Sequence, residues 1–63
     1  MPTKIRFLDE KLSVEVVDDL EQVRGRIESE ARSGRLVRLE RRSPEGHVVW
    51  VNPAAVAYLE DVT

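Results

Sequence analysis

The feature that most constrains this chain is a pair of punctuation marks set among alternating apolar residues, in the stretch Leu36–Val62, LVRLERRSPEGHVVWVNPAAVAYLEDV. Ser43-Pro44-Glu45-Gly46 has the composition of a type I turn, with Pro at the second position and Gly at the fourth. Nine residues on from Ser43, Asn52-Pro53 stops the following strand, because Pro fixes φ and carries no N–H, while Asn caps a short helical turn. A hairpin, a one-turn stop and a closing strand from Val56 to Val62 follow. With Gly46 left-handed in a three-residue loop, Ser43 pairs with His47, so Arg41 faces Val49, Glu40 faces Trp50 and Leu39 faces Val51. Val37, Leu39, Val49 and Val51 then form a core face, and Arg38, Glu40, Arg42, Val48 and Trp50 point the other way. A slip of one residue would exchange the two faces and put Trp50 in the core. In the closing strand Ala57 and Leu59 share one face, with Val56, Tyr58, Glu60 and Val62 on the other.

The first half of the chain supplies what covers that hairpin. Thr3–Leu8 alternates with Ile5 and Phe7 on one side, and Leu12–Val16 alternates with Leu12, Val14 and Val16 inward. Asp9-Glu10-Lys11 links them as a polar hairpin loop, and Lys4 or Arg6 faces Glu15 across the ladder. Asp18 opens a helix as a D-x-x-E capping box with Glu21, and Ser33-Gly34 ends it. Over Asp18–Ser33 the apolar stripe is Leu20, Val23, Ile27 and Ala31, narrow enough for one-sided burial. Glu28 and Arg32 stand in the favourable i,i+4 order, Arg24 and Glu28 in the weaker reverse order, and Gly25 sits mid-helix at a cost of about 1 kcal/mol relative to Ala. The order ββαβββ implies one α+β domain over residues 1–63, a small antiparallel or mixed sheet with one helix packed on one face. Ile5, Phe7, Val14, Val16, Leu39, Val49, Val51 and Leu59 are the expected core.

Sixty-three residues lie near the lower limit for unaided folding, and the absence of Cys removes both disulfides and thiolate metal sites. No cofactor is implied. A second copy is a natural source of the missing stability. The net charge of −2 favours no class of partner, but its distribution is uneven: residues 9–23 carry −5, residues 24–42 carry +4. No apolar run approaches membrane-spanning length and no export signal opens the chain, which makes a cytoplasmic location the expectation.

No catalytic constellation emerges. His47 lies beside a turn with Ser43 only as its cross-turn neighbour, and reads as a solvated turn histidine. The acid pairs Asp9-Glu10, Asp18-Asp19 and Glu60-Asp61 are explained by a loop, a helix start and a terminus, and the isolated glycines make no phosphate cradle. The chemistry-bearing feature is the single Trp50 on the face turned from the helix, fringed by Arg38, Arg42, Val48 and Tyr58. Aromatic and guanidinium groups interleaved in this way suit a protein interface, since Trp and Arg dominate hot spots. The reading is a non-enzymatic protein-interaction module working as a homodimer. The rival is a small nucleic-acid-binding regulator using Arg35, Arg38, Arg41 and Arg42 with Trp50, although Glu40 interrupts that run.

Val51-Asn52-Pro53 and Val56-Ala57-Tyr58-Leu59-Glu60 carry a resemblance to a family of small uncharacterised actinobacterial proteins, which end in a VxP turn and a closing strand of the ΦAYΦE kind. Short phage-encoded proteins of actinobacterial hosts are similar. The likeness covers about the last two thirds of the chain. It implies a cytoplasmic α+β domain of unassigned role.

Overall fold

The computed structural model describes residues 1–62. Five strands and one α-helix follow in the order β1 (Thr3–Phe7), β2 (Ser13–Val16), α1 (Leu20–Ala31), β3 (Val37–Glu40), β4 (Val48–Val51) and β5 (Val56–Asp61), with a short 3₁₀ turn over Pro53–Ala55 between the last two strands. The fold is α+β, and all its strand pairings are antiparallel. They form two sheets, β2-β1-β5 and β3-β4. A single bridge, Val16 to Arg41, joins the sheets. Around it the Val17 N–H donates to the Glu40 carbonyl at 3.1 Å and the Arg42 N–H to the Glu15 carbonyl at 2.9 Å. Through that bridge the strands run in the order β4-β3-β2-β1-β5.

The core is built from alternating residues of both sheets. Ile5, Val14, Val16, Val37, Leu39 and Val51 are buried together with Val23 from the helix, and Phe7, Ile27, Val49, Val56 and Leu59 pack against them. All eight expected core residues lie in this cluster or on its margin. Helix and hairpins differ from expectation in detail. Leu12 is exposed rather than inward, because β2 begins at Ser13 and Leu12 belongs to the turn closed by its own N–H on the Asp9 carbonyl at 2.9 Å. Ala31 is exposed, so the helix buries a shorter stripe than its sequence offers.

The helix starts one residue later than the D-x-x-E pattern suggests. Asp19 is the N-cap, and the Gln22 side-chain oxygen accepts from its backbone N–H at 3.2 Å. Asp18 is kept out of that position by β1, because the Thr3 hydroxyl, fully buried, donates to the Asp18 carbonyl at 2.8 Å. On the solvent side the expected Arg24–Glu28 pair forms, while Arg32 takes no part and Glu28 turns to Arg24. Its guanidinium meets Glu21 at 2.7 Å and Glu28 at 3.0 Å. Hydrogen bonding to Glu21 foremost, then that carboxylate's charge and Glu28, holds the Arg24 guanidinium above its ordinary pKa. Gly34 ends the helix at φ +71°, its N–H donating to the Glu30 carbonyl at 3.0 Å.

The β3–β4 register is Val37 with Val51, Arg38 with Trp50, Leu39 with Val49 and Glu40 with Val48. This is two residues from the register expected, so the partners change while the faces are kept. The cause is a longer loop. His47 donates to the Pro44 carbonyl at 3.4 Å, so the turn is Pro44–His47 rather than Ser43–Gly46, with Gly46 at φ +81° in its third position. In β5 the ladder with β1 is interrupted between Arg6 and Phe7, where Tyr58 pairs with Arg6 and Val56 with Phe7. This irregularity leaves Ala57 exposed and turns Val56 toward the core, the reverse of the expected order.

Candidate functional site

The outer side of the β3–β4 hairpin is set by alternation. Because Val49 and Val51 face the core, Val48 and Trp50 face out, at 37% and 59% exposure. Arg38 stands directly across the ladder from Trp50, and Glu40 across from Val48. Arg38 forms no ion pair among the described residues, leaving its guanidinium free beside the indole. Trp50, Val48 and Arg38 are therefore brought together as the alternation implies.

The other two expected site residues are placed elsewhere. Arg42 is committed to the join between the sheets: its side chain donates to the Glu15 carboxylate at 2.9 Å while its backbone N–H donates to the Glu15 carbonyl. Tyr58 is exposed, but it lies on β5, across from Arg6 and at the far end of the strand order from β4. Of the rest of the basic run, Arg41 bridges to Val16 and Arg35 lies in the helix-to-strand turn, so the arginines form no single stripe.

One further member of the site was missed. Leu36 is half exposed and joins Trp50 and Arg38 along an open groove of about 890 Å³ whose other wall is the helix face of Gln22, Gly25, Arg26 and Ser29. Its parity with Arg38 was the available signal, because residues 36, 38 and 40 point the same way on a strand. Gly25 contributes to the groove by omission, since a Cβ there would meet nothing within 4 Å. Trp50 thus borders the helix along this groove even though its strand face is turned from the core. The two walls differ in charge: Asp18, Glu21 and Glu30 lie on the helix side and Arg38 on the hairpin side. Asp18 is partly neutralised by Arg26 at 3.6 Å.

Among the described residues there is no cluster of three or more His, Cys, Asp or Glu side chains able to hold a metal ion, and no helix long and apolar enough to cross a membrane. A scan against protein-family models, a search of curated proteins and a search of solved structures each returned no match.

Proposed function

We propose that this chain is a non-enzymatic protein-interaction module that works as a homodimer in a cytoplasmic setting. Its contact face is the outer side of the β3–β4 hairpin, centred on Trp50 with Val48 and Arg38. The observation that carries the reading is the placement of the only Trp, 59% exposed, on a strand whose other face is core. A large aromatic gains most from burial, and a chain this small has reason to bury one against a partner.

Magnitudes set the expected strength. The exposed part of an indole corresponds to about 150 Å². At about 25 cal/mol per Å², covering it would contribute about 4 kcal/mol per copy. Two such burials fall within the range that association itself costs, about 4–15 kcal/mol. Burial of the two indoles thus leaves a net of about −4 kcal/mol at best, a weak dimer of about millimolar affinity and not a permanent one. Light scattering should give a mass rising toward twice the monomer for the wild type and a monomer for Trp50→Ala. Monomers in both cases, with equal affinity for candidate protein partners, end the proposal.

Nucleic acid as the partner is supported by the free guanidinium of Arg38 beside Trp50. It is disfavoured by the capture of Arg42 by Glu15, by the scattered placement of Arg35 and Arg41 and by the acidic net charge. That rival requires binding that weakens steeply with salt, and a gel-shift titration at low ionic strength that shows no complex removes it.

A further inference from the structure

The edge of β4 carries more information than its side chains. The Arg41 N–H donates to the His47 carbonyl at 2.8 Å, so these residues are a hydrogen-bonded pair. Antiparallel ladders alternate, which makes Leu39 with Val49 and Val37 with Val51 the next hydrogen-bonded pairs. Val48 and Trp50 therefore aim their backbone N–H and C=O groups away from β3. Among the described residues no strand lies on that side of β4. The sequence Val48–Val51 has none of the Lys, Pro or bulge that ordinarily protects such an edge.

We infer that this edge pairs with the same edge of a second copy, antiparallel, about a two-fold axis passing through Val49. The inference rests on the homodimer reading above and specifies its geometry. The residues with free backbone groups, Val48 and Trp50, are symmetric about Val49, so one axis satisfies all of those groups at once, Val48 of each copy bonding Trp50 of the other. Centring the axis on Val48 would set Trp50 against Gly46 of the turn. Centring it on Trp50 would set Val48 against Asn52, where the strand has ended. A slip of one residue would oppose groups already used by β3. The Val49 register is the one that keeps both residues within the strand.

Side chains and charge agree with that register. Val48 becomes the cross-strand neighbour of Trp50 from the other copy, an aliphatic–aromatic pair on one face. Each row across the four strands reads Arg38, Trp50, then Val48 and Glu40 of the second copy, and the adjacent row reads in reverse. Every row thus carries one cation and one anion at opposite ends, and the two Arg38 side chains never meet. Pairing along the edge covers only the flanks of Trp50 and Val48, less than the roughly 200 Å² per copy that they expose and well below the roughly 800 Å² per partner of a standard interface, so the association is weak and reversible.

The chain has no cysteine among its residues, so a single introduced thiol reports on proximity without interference. On the axis the two Val49 Cα atoms would lie about 4.5 Å apart in a non-hydrogen-bonded pair, within reach of a disulfide. Under mild oxidation Val49→Cys should give a covalent dimer about tenfold faster than Arg38→Cys, whose exposed thiols would be held strands apart. Rapid linkage of Trp50→Cys with none at Val49→Cys would mean face-to-face docking, overturning the edge pairing while the homodimer stands. A wild type that scatters as a monomer up to millimolar concentration would overturn both. Hydrogen exchange on the unmodified protein supplies an independent check: protection of the Val48 and Trp50 amides should rise with concentration while that of Val49 and Val51 does not. No concentration dependence at those two amides would contradict the pairing.

Discussion

Gly25 shows how far one residue can be read in isolation. Its place inside a helix costs about 1 kcal/mol relative to Ala, and its surroundings leave room for a methyl group. Gly25→Ala should therefore stabilise the protein by about 1 kcal/mol in urea unfolding. A loss of stability would mean that the groove wall cannot accept a Cβ. Leu39 is the opposite case. At 1% exposure it is the largest buried side chain after Ile5, and Leu39→Ala should cost about 3 kcal/mol by the same measurement. Trp50→Ala should cost the monomer less than Leu39→Ala does, because Trp50 is 59% exposed within one chain. The identities of core residues were legible in the sequence because period-2 alternation names them without reference to their partners. The fate of Arg42 was not, since its partner Glu15 lies 27 positions away. Nothing local marks that ion pair.

At the scale of elements, what the sequence hid was offset rather than type. The helix was visible in its stripe and its terminal glycine, but its first residue was decided by Thr3 reaching across from β1 to hold the Asp18 carbonyl. The N-cap role accordingly belongs to Asp19. Asp19→Ala should lower stability by about 1 kcal/mol, with a smaller loss for Asp18→Ala, whose ion pair with Arg26 is partly exposed. Equal losses, or the reverse order in thermal melts, would return the cap to Asp18. The hairpin register was displaced by two residues yet its faces survived, because a displacement by one full period of a strand returns each side chain to its own side. In β5 the period itself breaks: the interruption opposite Arg6 and Phe7 moves Ala57 out and Val56 in, and depends on β1 rather than on the residues of β5.

For the molecule as a whole, the consequential join is the one between its sheets. Among the described residues the polar ties between β2 and β3 are the Val16–Arg41 bridge, two flanking backbone hydrogen bonds and the Glu15–Arg42 ion pair, beside the core that the two strands share. This places the β3–β4 hairpin at one end of the strand order with its outer edge unpaired, and puts the single Trp on it. The outward face of that hairpin was legible from alternation, but the groove beside it required the helix to be in place. Intrinsic fluorescence tests the central claim most directly, since one indole reports its own surroundings. Trp50 should show the red emission of a hydrated indole in dilute solution, moving toward the blue as concentration rises and copies associate. Deep-blue emission that persists on dilution to a proven monomer would place the indole inside the fold and contradict it.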